Sequence, residues 1–361
     1  MKLACSHIRL PWVTDPWGSQ ETWMSRRVGR RQFALGLLAT GGVMLVGRNS
    51  READFTLRQF HNQPAESPLH KRLVEMWTAV KAETGGRVDV QTFAENDHLA
   101  GGDPAAFKLL VSGELDFFTL NGGVIGTIVP AMNVQNMPFS FRTQAQVYQA
   151  LDGDLGDYLR GEMRSKGIYG VPRGCFENGL HQITCATRPI RTADDLEGLK
   201  MRSPAAPIYI DAWKTLGTEP VVANLDQLYE TLKSGAAEAQ ADPFAIIELL
   251  KLYEVQKYVS VTNHTWSGFN LITTVKLWQR LPESAREAIA RNVAKFARLQ
   301  RADNDALNTE ARARLAQQGM TFNEAETSSF RAKLKPFYAR WKETLGQQCW
   351  KLLETHVGKL A

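Results

Sequence analysis

The amino-acid sequence predicts an α/β protein made of two similarly built lobes, each with a mostly parallel sheet flanked by helices. Three observations support this prediction. Strand-like alternation and helical spacing follow one another over residues 54–120, and the same order recurs over residues 199–233. The stretch 282–318 contains almost no helix breaker, which predicts one long helix that braces both lobes.

The first unit is predicted to contain three strands and two helices in alternation. Ser67 and Pro68 mark the start of its first helix and Gly85 the end, while Asp103 marks the start of the second helix and Gly113 its end. Short connections between such elements favour a parallel sheet covered by helices. The predicted strands are residues 54–60, 87–93 and 115–120.

The second unit repeats this order of elements. Both units carry a similar junction from helix to strand, with Ser-Gly at 112–113 and again at 234–235. The repetition predicts two lobes that face one cleft, where the ends of parallel strands bring loops and polar groups together. The predicted elements are a strand at 199–202, a helix at 205–216, a strand at 220–222 and a helix from Asn224 to Lys233.

The predicted long helix has an apolar stripe along one face. At roughly 1.5 Å per residue, residues 282–318 would extend over about 55 Å, which is enough to contact two lobes. The stripe consists of Ala285, Ile289, Val293, Phe296 and Leu299.

Length and charge exclude several classes of protein. The chain has 361 residues, of which 43% are hydrophobic and 22% charged, so the disordered and fibrous classes are excluded and two domains are favoured. The formal charge of +5 is concentrated in residues 1–53, which hold eight Lys or Arg and three Asp or Glu. The rest of the chain holds 35 of each and is formally neutral, so no nucleic-acid partner is predicted.

Residues 1–53 are predicted to be an export signal with an N-terminal extension. Arg30 and Arg31 precede a weakly polar run at 33–46, and these 14 residues are too few to cross a bilayer comfortably. The run Gly-Arg-Arg-Gln-Phe at 29–33 resembles a twin-arginine signal, which predicts a periplasmic protein. A buried N-terminal helix is the alternative, but three glycines within the run would weaken it.

The sequence contains no motif that predicts catalysis or metal binding. It has no phosphate-binding glycine loop, no Gly-x-Ser-x-Gly and no His-Glu-x-x-His, and its seven histidines lack the spacing of metal ligands. We therefore predict neither an enzyme nor a cofactor or metal site. Beyond residue 53 three cysteines remain, and either a Cys175–Cys185 bridge or buried free thiols are compatible with the sequence.

One run of the sequence identifies a resemblance. Residues 188–204, Arg-Pro-Ile-Arg-Thr-Ala-Asp-Asp-Leu-Glu-Gly-Leu-Lys-Met-Arg-Ser-Pro, resemble the signature of the solute-binding proteins of tripartite ATP-independent periplasmic (TRAP) transporters, of the C4-dicarboxylate type. The similarity extends from Asp54 to the C-terminus. The supporting runs are Glu177-Asn178-Gly179, Asp226–Tyr229, Ala239–Pro243, Val255–Tyr258 and Thr262–His264.

The resemblance implies a two-lobed periplasmic binding protein that captures a small carboxylate ligand and delivers it to integral-membrane TRAP permease subunits, without a cofactor. It implies lobes that are discontinuous in sequence, namely 54–178 plus about 268–307, and 179–267 plus about 308–361. A sensor that reports to a membrane receptor and a periplasmic enzyme are the alternative functions.

The resemblance also implies ligand-binding residues. Its central ligand contact is an arginine, and Arg202 matches that position at the end of a predicted strand. A guanidinium suits this role because it is planar, stays charged and offers two donors to a carboxylate; a surface salt bridge is the alternative. Asn62, Asp103 and Asn121 match polar pocket positions, with a turn residue and a helix N-cap as the alternatives for the first two.

Two positions depart from the usual family pattern. His181 stands where many relatives have a second arginine, and Asp242 stands where the family often has asparagine. A weak cation and an added carboxylate suit a ligand with one carboxylate and with hydroxyl or amino groups, because aspartate accepts from such donors and repels a second anion. The alternative is that Asp242 simply pairs with His181 or Arg202.

Three aromatic residues are candidates for an apolar wall of the pocket. They are Phe176, Trp213 and Trp266. Of the two tryptophans, Trp266 is predicted to line the pocket and Trp213 to belong to the core.

Overall fold

The computed structural model describes residues 53–360, which form two β-sheets with helices packed around them. The strands are β1 (Phe55–His61), β2 (Val88–Phe93), β3 (Phe117–Asn121), β4 (Ile168–Leu180), β5 (Gln182–Cys185), β6 (Lys200–Ser203), β7 (Glu219–Val222), β8 (Ala239–Asp242), β9 (Tyr258–Val261), β10 (Trp266–Thr274) and β11 (Thr321–Glu324). The helices are α1 (Pro68–Glu83), α2 (Gly102–Ser112), α3 (Gly122–Ile125), α4 (Gln144–Leu151), α5 (Asp154–Ser165), α6 (Pro207–Thr215), α7 (Leu228–Lys233), α8 (Phe244–Leu249), α9 (Val275–Arg280), α10 (Glu283–Gln317), α11 (Thr327–Lys333) and α12 (Lys335–Val357).

The two sheets have the strand orders β2-β1-β3-β10-β4 and β11-β9-β5-β8-β6-β7. In the first sheet β1 pairs in parallel with β2 and β3, and in the second β6 pairs in parallel with β7 and β8. These parallel ladders contain the strands predicted from the two sequence units. The antiparallel pairs involve β10 in the first sheet and β5 in the second. The predicted two-lobed α/β fold is therefore confirmed, and both sheets are mixed.

The first helix shows how local sequence sets an element's bounds. The Ser67 hydroxyl accepts a hydrogen bond from the backbone N–H of His70 at 3.2 Å, and Pro68 occupies the first turn, where its missing N–H has no partner to lose. The helix ends before Gly85, whose φ of +62° favours glycine. Its apolar stripe is buried and consists of Leu69, Leu73, Met76, Trp77 and Val80.

Within the described residues, the chain passes between the sheets three times, twice directly from strand to strand and once from β10 through α9 and α10 to β11. β4 of the first sheet continues through His181 into β5 of the second, and β9 of the second leads through residues 262–265 into β10 of the first. At the first crossing Gly179 has a φ of +136°, and a Cβ there would lie 2.8 Å from the Pro243 Cβ, so this position requires glycine. Side chains at the direct crossings thus lie between the two sheets. The lobe bounds themselves stay a prediction.

The long helix α10 spans 35 residues and contacts elements associated with both sheets. The Arg72 Nε of α1 lies 2.6 Å from the Asp303 carboxylate, and the Arg314 Nε lies 2.5 Å from the Glu248 carboxylate of α8. These contacts bind α10 to one helix beside each sheet, as the breaker-poor stretch predicts. Across residues 53–360, no helix is both long enough and apolar enough to cross a membrane.

Two further predictions from the sequence concern the export signal and the cysteines. The predicted twin-arginine pair, Arg30 and Arg31, lies outside the described residues. In the described part of the chain, Cys175, Cys185 and Cys349 are buried free thiols, so the disulfide alternative is not adopted.

Candidate functional site

A cleft lies where the ends of strands from both sheets meet the two direct crossings. Its empty volume is about 750 Å³, which includes the open solvent at its mouth. Six of the seven predicted ligand-binding residues line it, namely Asn62, Asp103, Asn121, His181, Arg202 and Asp242. They come from sequence segments up to 180 positions apart, and the fold brings them together as expected for strand ends that share one edge.

Arg202 is a buried cation on β6. Its side chain is 4% exposed, and its Nε donates to the Ala223 carbonyl at 2.9 Å, which fixes the orientation of the guanidinium. The Nη1 atom lies 3.7 Å from the Asp242 Oδ2, an ion-pair distance that is too long for a hydrogen bond. Among the described residues, the terminal nitrogens of Arg202 donate no hydrogen bond, so they can receive a ligand carboxylate.

Asp242 ends β8 opposite this guanidinium. Its side chain is 7% exposed, and its buried Oδ2 has no hydrogen-bond partner within residues 53–360. Burial raises the pKa of Asp242 to about 7, and the neighbouring Arg202 opposes that rise. The alternative that Asp242 pairs with Arg202 is thus realised as a loose ion pair, in which the Asp242 Oδ2 accepts no hydrogen bond from the described residues.

A second carboxylate is held by amides beside Arg202. Asp103 of α2 accepts hydrogen bonds from the Asn62 Nδ2 at 2.7 Å and the Asn96 Nδ2 at 2.8 Å. Burial raises the pKa of Asp103, while the two amide donors and Arg202 act in the opposite direction. The Oδ1 of Asn62 is buried and accepts from no described residue. This corner of the cleft therefore presents a free acceptor.

His181 is a neutral hydrogen-bonding group. Its Nε2 lies 2.7 Å from the Ser267 Oγ, which also accepts from the Asn178 Nδ2 at 2.8 Å. The ring is also hydrogen-bonded to the Ala241 backbone. A neutral imidazole has one donor and one acceptor nitrogen, so a ring that donates to Ala241 accepts from the Ser267 hydroxyl through Nε2. Burial lowers the pKa of His181 well below its usual value, and His264 and Arg202 lower it further. The sequence-based expectation of a weak cation at this position is wrong.

Tyr209, from the first turn of α6, was not predicted as a site residue. Its ring stacks on that of His181 with centroids 6.1 Å apart, and its hydroxyl is hydrogen-bonded to Asn121 and Asn136. Asn121 also caps α3 by accepting from the Gly123 N–H at 2.8 Å. Through Asn121, Tyr209 thereby links α6 to the end of β3. The sequence signal that could have identified Tyr209 is a polar aromatic residue seven positions after Arg202.

The aromatic wall differs from the expectation. Trp213 belongs to the buried core, as predicted, and it also lines the cleft together with Phe269. Trp266 is fully buried away from the lining, and its Nε1 donates to the Glu177 carboxylate at 2.7 Å. Phe176 is likewise completely buried. Trp266 is turned inwards because its ring covers Gly268, where a Cβ would lie 2.3 Å from that ring.

Comparison with known proteins places these features in context. The family model for bacterial extracellular solute-binding proteins, family 7, matches residues 60–344. A 2,3-diketo-L-gulonate-binding periplasmic protein of Escherichia coli (strain K12) is 27% identical over 222 residues, which are 62% of this chain and 66% of that protein.

Two solved structures are similar along most of the chain. A TRAP periplasmic solute-binding protein from Polaromonas sp. JS666 with bound D-erythronate is 26% identical, with a TM-score of 0.78 over 83% of this chain and 98% of that one. A TRAP periplasmic solute-binding protein from Chromohalobacter salexigens DSM 3043 with bound D-glucuronate is 27% identical, with a TM-score of 0.78 over 84% and 100%.

Proposed function

The chain belongs to family 7 of the bacterial extracellular solute-binding proteins, and from that premise we propose that it captures a small organic acid in its inter-lobe cleft for a TRAP transporter. The relatives from Polaromonas and Chromohalobacter hold sugar acids, D-erythronate and D-glucuronate. The family consists of binding proteins rather than enzymes, and its periplasmic members support a periplasmic location. Integral-membrane permease subunits are the proposed partners.

The observation that carries this proposal is the unused donor face of Arg202. A buried guanidinium that makes only one hydrogen bond, through Nε, retains the two-pronged face that recognises a carboxylate. Burial lowers the pKa of Arg202 because its charge is incompletely solvated. An incoming carboxylate would supply both the missing acceptors and the missing counter-charge.

The remaining polar groups favour one carboxylate over two. Asp242 and Asp103 lie near Arg202, and both influence its charge. A second ligand carboxylate would meet these anions in a partly desolvated site, where like charges repel strongly. The free acceptors on Asp242 and Asn62 instead suit hydroxyl or amino groups of the ligand.

The proposed function predicts a stabilising and compacting effect of small monocarboxylates. A ligand at 100 times its Kd adds about 2.7 kcal/mol to the free energy of unfolding, which a thermal-shift screen can detect. Hydroxylated or amino monocarboxylates should raise the melting temperature more than succinate does. Only a few crossings join the lobes, so they can close on the ligand, and small-angle scattering should give a smaller radius of gyration with the strongest hit. The absence of a shift with every carboxylate would contradict the proposal, and identical scattering profiles would contradict closure.

Export by the twin-arginine route is a separate prediction. Replacing Arg30 and Arg31 by lysine should leave the precursor in the cytoplasm, because that route depends on the arginine pair rather than on positive charge alone. The matched control replaces Arg26 and Arg27, the preceding pair, in the same way. Cell fractionation measures how the protein is divided between cytoplasm and periplasm. An unchanged periplasmic yield of the first variant would indicate the general secretory route instead.

A further inference from the structure

The cleft carries more negative than positive groups, which is unfavourable for a ligand that is a simple anion. The cleft and the smaller space that continues from it past Asn62 are lined by four carboxylates, and within the described residues Arg202 is the sole Lys or Arg that lines either space. Two carboxylates lie inside, and two are exposed at the mouth, where solvent screens them. The four are Asp103, Asp242, Glu95 and Asp226.

From this imbalance we propose that the ligand is a zwitterion, whose carboxylate binds Arg202 and whose ammonium group binds Asp242. The inference rests on the proposed function, since it assigns a ligand class to the same cleft. Arg202 and Asp242 now neutralise each other across 3.7 Å. A ligand carboxylate that takes the guanidinium leaves the Asp242 carboxylate without a counter-charge in a buried position, which is costly. A ligand that brings its own cation keeps both charges paired.

Hydrogen-bond geometry independently favours donors on the ligand. Asp242 Oδ2 and Asn62 Oδ1 are both buried, both belong to residues that line the cleft, and neither accepts from any residue in 53–360. Buried acceptors without donors cost free energy, and an ammonium group supplies up to three N–H donors. A tertiary ammonium has one N–H and a quaternary nitrogen has none, so a nitrogen that donates to both acceptors is primary or secondary.

The apolar lining is compatible with a cation. Tyr209, Trp213 and Phe269 line the cleft, and aromatic faces attract ammonium groups that have lost part of their water shell. His181 is neutral and stacked on Tyr209, so it adds no repulsion. The same surroundings offer nothing to offset the charge of a second carboxylate.

A hydroxy acid is the competing ligand, and pH separates the two. Hydroxyl groups fill the free acceptors but leave Asp242 without a counter-charge, so a hydroxy acid binds best when Asp242 is protonated. The titratable groups that line the cleft together with Asp242 are Arg202 from β6, His181 from the crossing, Tyr209 from α6 and Asp103 from α2. Affinity for an ammonium ligand should rise between pH 6 and pH 8 as Asp242 ionises, whereas affinity for a hydroxy acid should fall.

The test compares matched amino and hydroxy acids by calorimetry on the purified protein. The pairs are L-alanine with L-lactate, L-serine with L-glycerate, and 4-aminobutanoate with 4-hydroxybutanoate. In at least one pair the amino acid should bind more tightly by about tenfold or more, the scale of one lost charge contact. Asp242→Asn should remove that preference, while Asp157→Asn, an exposed carboxylate on α5, should keep it.

The outcomes separate this inference from the proposed function. Tighter binding of the hydroxy acids, with an affinity that falls as pH rises, would overturn the zwitterion while supporting a carboxylate-binding cleft. An unchanged preference in a folded Asp242→Asn variant would also overturn it. Failure of all six acids, D-erythronate and D-glucuronate to bind would contradict the proposed function itself.

Discussion

Replacing Arg202 with alanine is expected to weaken ligand binding by roughly 30-fold to a few thousand-fold. Truncating one partner of a buried charge pair costs about 2 to 5 kcal/mol, and each 1.4 kcal/mol is about tenfold in Kd. The side chain is 4% exposed, so water cannot replace it easily. Loss of Arg202 would also raise the pKa of Asp242 further, because Arg202 opposes the rise that burial causes. Calorimetry with the strongest ligand of the thermal-shift screen measures the change.

Arg202→Lys should recover only part of this loss. An ammonium keeps the charge but cannot present two parallel donors, and it cannot reproduce the Nε hydrogen bond to Ala223 that orients the guanidinium. Arg298→Ala, which removes an exposed arginine on α10, is the matched control and should bind like the wild type. If the alanine variant at 202 remains folded and binds within about threefold of wild type, below the range for a lost charge pair, the carboxylate anchor lies elsewhere.

The sequence predicted which residues line the cleft better than it predicted the protonation states of those residues. Arg202 was identifiable because its strand lies inside a long family signature, and Asn62 and Asp103 because they follow a strand and open a helix. The neutral state of His181 was not predictable from neighbours in sequence. It depends on burial and on the nearby His264 and Arg202, which lower the pKa, whereas the hydrogen bond to the Ala241 backbone raises it.

The two tryptophans illustrate a similar limit. Alternation along a strand assigns side chains to two faces, but it does not say which face is the cleft. Trp266 points away from the cleft because Gly268 leaves room for its ring and Glu177 supplies an acceptor for its indole N–H. Both partners are polar or small residues whose role appears only once β4 and β10 are paired. Trp266, which was predicted to line the pocket, therefore belongs to a hydrogen-bonded network behind the pocket.

That network joins the crossing to the long helix. Glu177 accepts from the Trp266 indole, is hydrogen-bonded to the Tyr148 hydroxyl, and is linked through its backbone to the Gln300 side chain. The Arg301 guanidinium lies 4.0 Å from the Tyr148 ring centroid and donates to the Asp152 carboxylate at 2.7 and 2.9 Å. Burial raises the pKa of Glu177 to about 7, although its hydrogen bonds and Arg301 oppose the rise.

Glu177→Ala is therefore expected to destabilise the fold strongly. It would leave the buried indole N–H of Trp266 and the hydroxyl of Tyr148 without their acceptor, at about 1–3 kcal/mol each, and open a cavity beside the crossing. The total, about 2–6 kcal/mol, is a large share of the stability of an ordinary domain. Urea unfolding at pH 5.5 measures the loss. Glu343→Ala, an exposed position on α12, is the control and should change little.

Glu177→Gln separates the charge of this residue from its hydrogen bonds. The folded state holds a proton on Glu177 up to about pH 7, whereas the unfolded chain releases it near the ordinary value of 4.5. Between these limits the folded state binds more protons, so the free energy of unfolding should fall as pH rises, by at most about 1.4 kcal/mol per unit from this group. Glutamine mimics the protonated acid and lacks this slope, so the variant should resemble wild type at pH 5 and become relatively more stable at pH 8. Asp242 titrates in both proteins and cancels in the comparison, so parallel profiles from pH 5 to 8 would show that Glu177 carries no buried proton.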